Sequence, residues 1–583
     1  MLFGKKKEKE QRSVLEEEQM QSPFRTIIKN LLENKLAMGG LIVFVSIFAM
    51  CFILPIWFHQ DLNYQDPTQK NIAPGFSFLS VPSDLKDNAE VIEFGPTYGV
   101  GVDKDGYVYE WGQLTKNLKK IPADMGKVVD IAVGQDHVLA INDKGNLYTW
   151  GFNRMGLNVI PPELKGKKIA DIEAGYQVSV VVTEDGKVVS WGNTSAVDIS
   201  TANVKDEKVK EVKANIQTAI ALTKDGKVIS LAKKETALDN VPEEIQGKVE
   251  KIALTDKAAA AVLKDGTVKV WGNNHNHIFS VPEEVQGKAV DISGGRNHLV
   301  VVTEDGNAVA WGGNENNQVP AKATNIAKLA SGYYQNCIIK EDGSVVTWGL
   351  KGYLLGTDNL GRNVFYRILK GGQMTMTVGF IAVIIQFAIG ILVGGISGYY
   401  GGTVDILLMR LAEVVGSLPF IPLALILSAL IGNKVSDVGR IIMIMLILGF
   451  LGWTGIAGLV RAQVLAERNK EFVVAAKALG VKEKNIIFRH IVPNVMTIII
   501  VQATISFATC MLTESGLSFL GFGVAEPIPS WGNMLNNCRS SEVISQYWWR
   551  WVFPSVVLGL CTVSINLFGD GLRRAVDPKA NER

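Results

Sequence analysis

Trp-Gly recurs through the middle of this 583-residue chain at a nearly constant interval. Each instance follows a tight-turn signal. The turn glycines are Gly106, Gly145, Gly186, Gly226, Gly266, Gly306 and Gly343. The aligned aromatics, five residues on, are Trp111, Trp150, Trp191, Trp271, Trp311 and Trp348, with Leu231 standing in at the fourth repeat. Asp precedes every one of these glycines except Gly145, which follows Lys144. Asp-Gly suits a hairpin whose central residues need positive φ. The flanks have strand patterning, as in Val180–Thr183 before a turn and Lys187–Trp191 after it. The glycines are 37 to 41 residues apart, and a repeat of about 40 residues holding several strands is a propeller blade. Seven blades closed into a ring expose no sheet edge. The expectation is an all-β seven-bladed propeller over residues 84–350, with the Trp column in the blade cores.

The residues on either side of this block belong in a different solvent. A helix crossing ~30 Å of hydrocarbon needs about 20 mostly apolar residues, and six runs qualify. They are Leu36–Phe58, a run within the uncharged stretch between Lys370 and Asp405, Val414–Asn433, Ile441–Val460, Ile491–Thr513, and the run between Arg550 and Asp570. Trp548, Trp549 and Trp551 suit an interfacial anchor for the last. Lys5, Lys6, Lys7 and Lys9 precede the first run, and no short apolar stretch with a small-residue cleavage site comes before it, so it reads as a retained helix. A second basic cluster, from Arg461 to Arg489, lies between runs four and five, and a third, Arg573, Arg574, Lys579 and Arg583, follows run six. With six spans all three clusters share one side, which the positive-inside rule makes the cytoplasm. Both termini are then cytoplasmic and the propeller is extracellular. The expected organisation is a cytoplasmic segment 1–35, a first transmembrane helix 36–58, the propeller 84–350, and a core 351–583 with five further spans.

Composition excludes several functions. The balance of 59 basic against 57 acidic residues gives no reason to expect a nucleic-acid partner. The five cysteines have no paired spacing, which argues against a disulfide framework or a cysteine zinc site. His275 and His277 have no Cys or carboxylate at ligand spacing and read as a solvated loop. The glycines Gly394, Gly395, Gly398, Gly401 and Gly402 are not followed by Gly-Lys-Ser/Thr, so no phosphate loop is read there.

The loop between runs four and five is the most informative cytoplasmic stretch. It reads Glu471-Phe472-Val473-Val474-Ala475-Ala476-Lys477-Ala478-Leu479-Gly480, and Pro493 follows thirteen residues after the glycine. A short helix with small residues, stopped by glycine, can fit closely into a groove on another protein. The segment resembles the coupling-helix motif of ABC importer permeases, with Ala475, Ala476, Gly480 and Pro493 matching in residue and spacing. Val474 replaces the acidic residue usual before the alanines, and Glu471 lies one turn earlier. Further matches resemble oligopeptide, dipeptide and nickel permeases: Asn34-Lys35-Leu36-Ala37, and Gly356-Thr357-Asp358-Asn359-Leu360-Gly361-Arg362 with Asn363 where Asp is usual. Leu517–Gly523, Pro529–Gly532, Asn566–Arg573 and Asp577-Pro578 also fit. The resemblance covers about residues 25–80 and 351–580. Asp358 and Arg362 are expected to form an ion pair, either at the surface or in gating and docking. The repeats in turn resemble those of the regulator of chromosome condensation, on phrases such as Gly294-Gly295-Arg296-Asn297-His298 leading to Asp305-Gly306 and Trp311-Gly312. That likeness implies a propeller, not an activity.

Together these resemblances imply a polytopic α-helical membrane protein of six transmembrane helices, a type I ABC importer permease, with the propeller inserted. They imply no enzyme and no cofactor or metal on this chain. ATP and Mg would belong to two partner ATPase subunits. The other implied partners are a second permease subunit, an extracellular substrate-binding protein, the peptide substrate and membrane lipid. Docking of the binding protein or peptide is the expected role of the propeller. Nickel-type cargo, and a receptor or adhesion module on a membrane anchor, are the alternatives.

Overall fold

The computed structural model describes residues 23–576 except 59, 194, 196, 198–203, 205, 217, 234–235, 320–322 and 432–434. Lys5–Lys9, Asp577-Pro578, Lys579 and Arg583 therefore lie outside the described residues. The chain forms two compact units. One takes the residues up to Gln65, Leu355–Asp358 and Arg362 onward; the other is Asp66–Leu354 with Asn359–Gly361.

The first unit is helical. α1 (Pro23–Glu33) leads into α2 (Lys35–Trp57), whose N-cap Asn34 accepts a hydrogen bond from Ala37 N at 3.2 Å. After the insertion come α3 (Val364–Tyr400), α4 (Gly402–Ser417), α5 (Phe420–Ile431) and α6 (Asp437–Glu467). Then follow α7 (Glu471–Ala478), α8 (Val492–Phe519), α9 (Trp531–Asn536), α10 (Ser541–Gln546) and α11 (Trp549–Val576). Five helical stretches among the described residues are long and apolar enough to cross a membrane, and the number rises to six if the bent pair α4 and α5 is one span. The third expected span, Val414–Asn433, is thus not one straight helix. Its chain turns by 76° between Ser417 and Phe420. Pro419 has no N–H for a continuing helix and forces Leu418 into extended geometry (φ −69°, ψ 131°).

Small residues let these helices approach closely, as in lipid, where tight packing rather than water exclusion drives association. Gly390, Gly394 and Gly398 form a stripe on α3 against Ile456–Val464 of α6; a Cβ on Gly390 would sit 2.6 Å from Ile456 Cγ2. The glycine run near the end of α3 is in part a packing device. Ala37 of α2 abuts Gly571 of α11, so motifs from opposite ends of the chain meet.

The second unit contains seven three-stranded antiparallel sheets, each built from consecutive strands, β1-β2-β3 through β19-β20-β21. The first strands are β1 (Ala89–Phe94), β4 (Val128–Val133), β7 (Ile169–Ala174), β10 (Val209–Ala214), β13 (Val249–Leu254), β16 (Ala289–Gly294) and β19 (Ile326–Ser331). Each neighbours the next, and β19 returns to β1, so the ring closes. Middle strands such as β8 (Val178–Thr183) are buried along their whole length and read as apolar runs. All seven turn glycines have φ between +73° and +90°, which favours residues without Cβ. The Trp side chains lie in blade cores: Trp191, Trp271 and Trp311 donate to the carbonyls of Leu157, Leu238 and Ile278 at 2.8–2.9 Å. Leu231, fully buried, fills the equivalent place without that bond.

His137 and His298 begin the middle strands β5 (His137–Asn142) and β17 (His298–Thr303), and both are fully buried. Burial lowers each imidazole to about 4. The unfolded chain takes up these protons near pH 6.5, so the two groups favour unfolding as pH falls from about 6.5 to about 4. Each contributes about 3 kcal/mol across that window. The third repeat has Val178 at the same register, so valine fits this position. We expect His137→Val/His298→Val to flatten the acid loss of amide-exchange protection in β5 and β17 relative to the unaltered chain. Equal pH dependence in both proteins would contradict this.

Candidate coupling segment and translocation cavity

α7 is an eight-residue helix whose end is sharply defined. Val481 N donates to Ala476 O at 3.1 Å and Gly480 N to Lys477 O at 3.0 Å, with Gly480 at φ +72°. This is a Schellman closure, which requires the left-handed residue that Gly480 supplies. Val473 and Ala476 face inward. Outward stand Glu471 and Ala475, together with Phe472 at 38%, Val474 at 56% and Leu479 at 83% exposure. An added Cβ on Gly480 would meet nothing within 4 Å. The adjacent alanines of the motif therefore have different jobs: Ala476 packs against its own chain and Ala475 faces out. Pro493 is the second residue of α8, just after a π turn over Ile486–Ile491 in which Val492 N reaches back to Ile487 O. Pro493 has no N–H for the Arg489 carbonyl, and the widened turn relieves its ring.

The segment is tied to the end of α3. Lys477 Nζ lies 4.9 Å over the Tyr399 ring, and Tyr400 donates to Glu483 at 2.9 Å. Asn494 donates to Glu467 at 2.6 Å, joining the two ends of the loop. These contacts join α7 to the end of α3, and α6 to α8.

Those same three helices, with Phe420 of α5, line a cavity of about 590 Å³. Gln502, Ser506, Thr509 and Thr513 lie on one face of α8 at helical spacing, opposite Gln386. No lining residue is charged. Gln386 Nε2 donates to Leu448 O at 2.9 Å. The Thr509 and Thr513 hydroxyls donate one turn back to the Ile505 and Thr509 carbonyls at 3.1 and 2.8 Å.

Residues 390–582 match the family described as the binding-protein-dependent transport system inner membrane component, and residues 22–74 match the N-terminal TM domain of oligopeptide transport permease C. A putative peptide permease protein of Brucella suis is 40% identical over 225 residues, 39% of this chain and 72% of that protein. The dipeptide transport system permease protein DppC of Bacillus subtilis is 41% identical over 38% of this chain and 68% of its own length. The oligopeptide transport system permease protein OppC of Haemophilus influenzae is 40% identical over 40% and 72%. This chain belongs to the oligopeptide and dipeptide permease family. It is accordingly a multi-pass membrane component of an ABC transporter. Residues 128–156 and 289–318 of the permease match the regulator of chromosome condensation repeat. Among solved structures, the CRINKLY WD40 ectodomain of the Arabidopsis thaliana receptor kinase ACR4 is 20% identical, covering 45% of this chain and 98% of its own, at TM-score 0.37. Prp20p of Saccharomyces cerevisiae is 17% identical, covering 52% and 88%, at TM-score 0.34.

The permease also forms the expected pair of Asp358 and Arg362, but not at the surface. Arg362 Nε donates to Asp358 Oδ2 at 2.7 Å, and its side chain is only 5% exposed. Desolvation opposes the charge of Arg362, while Asp358 and Glu526 outweigh it and raise its pKa. Two further members were not legible in the sequence. Glu526 pairs with Arg362 at 2.5 Å and with Arg367 of α3 at 3.0 Å. Around this network Thr357 is buried, its carbonyl accepting from Trp549 Nε1 at 3.0 Å, and Gly356 O accepts from Val364 N. Gly361 has φ +73°. Asn363, the departure from the usual Asp, caps α3 by accepting from Phe365 N at 3.0 Å.

Proposed function

We propose that this permease forms half of the path through which an ABC importer carries peptides into the cell, and that α7 couples the path to ATP hydrolysis. The observation that carries the coupling role is the open apolar face of α7 around Leu479, Val474 and Phe472. A helix with such a face in a polar loop needs an apolar groove to cover it. Two ATPase subunits holding ATP and Mg supply that groove, and a second permease subunit completes the path. Glu471, Val474, Ala475, Ala476, Gly480 and Pro493 are the segment's residues, and Gly356, Thr357, Asp358, Gly361 and Arg362 brace the external end. Both termini are cytoplasmic and the propeller is extracellular, where it docks the substrate-binding protein or its peptide.

The neutral, amide- and hydroxyl-lined cavity supports peptide cargo. It offers hydrogen bonds to any peptide backbone and no charge to sort side chains. Filling it tests the reading. In Ser506→Trp, labelled tripeptide uptake is expected to fall at least about tenfold, the indole occupying the path, while association with the ATPase subunits persists. Unchanged uptake would remove the cavity from the path.

A further inference from the structure

The ring of first strands encloses a cavity of about 120 Å³ in the propeller, walled by matching residues of all seven sheets at the C-terminal ends of those strands and the turns beyond. Its chemistry is set by Glu93, Glu173, Tyr176, Asp256, Arg296 and Tyr333. Arg296 is already engaged. Its guanidinium pairs with Asp66 and with Asp256 (Nε to Oδ2, 3.0 Å), and donates to the Tyr334 hydroxyl at 2.8 Å.

The remaining polar groups of the wall are short of donors. Of the remaining carboxylates, Glu93 and Glu173 line the cavity, and with Asp130, Asp171 and Glu211 outside its wall they lie in the field of the one ammonium of Lys213; Asp130 and Asp171 also accept from the backbone N–H groups of Ile131 and Val212. Lys213 lies 3.3 Å from Glu173 and 3.9 Å from Glu211. Lys251 beside Glu211, and Lys328 beside Asp130, act from further along the channel. Glu93 makes no hydrogen bond and no ion pair within 4 Å among the described residues, and Lys213 acts on it only from further away. Gln135, also in the wall, holds its Oε1 away from solvent with no donor to it. Burial, with neighbouring carboxylates adding to it, pushes Glu93 up to about 8 and Glu173 up to about 7, so Glu93 is mostly protonated while the cavity is empty, and a cation entering it lowers both and ionises them.

A ligand matching this wall brings a positive charge and several N–H donors, and tolerates aromatic faces. A divalent metal ion fits poorly. It takes six or more converging oxygens, and no group of three His, Cys, Asp or Glu among the described residues is placed to hold one. An organic ammonium group supplies three donors, and Tyr176 lines the cavity beside it, whereas the Tyr333 ring already faces the Arg296 guanidinium at 5.7 Å. The volume admits the end of one chain or side chain, not a folded partner. We propose that this cavity binds a primary ammonium group, carried on a peptide N-terminus or on a lysine-type side chain, with Glu93 and Glu173 as its counter-charges.

The site concerns the propeller alone and stands apart from the transport reading. Equilibrium binding to the full chain in lipid nanodiscs, without ATPase subunits, tests it with three labelled peptides: Ala-Ala-Ala-amide, its N-acetylated form, and N-acetyl-Ala-Lys-Ala-amide. The first or third should bind and the second should not. Binding by the first alone identifies N-termini, and by the third alone lysine side chains. Glu93→Gln, an isosteric change at an unbonded carboxylate, should weaken that binding at least about tenfold, as expected for loss of a charge-assisted hydrogen bond. If all three peptides bind alike, or none binds, the proposal is wrong without recourse to any variant. Binding that Glu93→Gln leaves unaltered would overturn it too.

Discussion

Leu479→Asp is expected to abolish most peptide uptake while leaving the permease in the membrane at its normal level. Leu479 is 83% exposed and follows the last turn of α7, so the substitution removes no packing within the chain. Any loss must come from a partner. Burying a leucine in a groove stabilises by about 1.5–3 kcal/mol, and an unpaired carboxylate in that groove costs more again. A combined loss near 4 kcal/mol weakens docking by about a thousandfold. Co-purification of the ATPase subunits should fail together with uptake. Gly480→Trp should act in the same direction, because φ +72° strains any side chain and the bulk enters the contact. Val473→Asp gives the contrast: Val473 is fully buried, so that variant should lose the segment's own fold. Normal uptake and normal ATPase recovery with Leu479→Asp would end the case for α7 as the coupling element.

Glu526→Ala should strongly destabilise the helical unit around the start of α3. Arg362 and Arg367 are 5% and 4% exposed, and they share the carboxylates of Asp358 and Glu526. Two positive and two negative charges balance. Removing Glu526 leaves one buried positive charge uncompensated, which typically costs about 3–5 kcal/mol. Glu526 itself is 38% exposed, so water moderates the effect toward the lower figure. The thermal transition in detergent should drop, and Glu526→Gln should lose less, because its amide oxygen can still accept. A transition unchanged in Glu526→Ala would show the network to be of little weight.

How much of this was legible depended on sequence distance. The blades were legible because Asp-Gly and Trp-Gly repeat locally, and the glycines do adopt the positive φ that the turn needs. The apolar runs located the helices, but hydropathy averaged over Val414–Asn433 hid the bend that Pro419 imposes. The motif spacing found Ala475, Ala476 and Gly480, yet gave no reason to single out Leu479. The available signal was a large apolar residue at the helix end in a charged loop. Asp358 and Arg362 were readable as neighbours, whereas Glu526 lies 164 residues from Arg362 and follows no periodicity. Glu93, Glu173 and Lys213 occupy one register of the first strands, but only ring closure shows that this register faces the channel.

Mass spectrometry of peptides remaining in the growth medium tests whether this permease imports peptides. The comparison is between a strain lacking the chain, the same strain with the intact chain restored, and one restored with residues 84–350 excised. Peptides should accumulate in the medium without the chain and be cleared once it is restored, with the excised form clearing them more slowly. An identical peptide profile in all three strains would contradict peptide import.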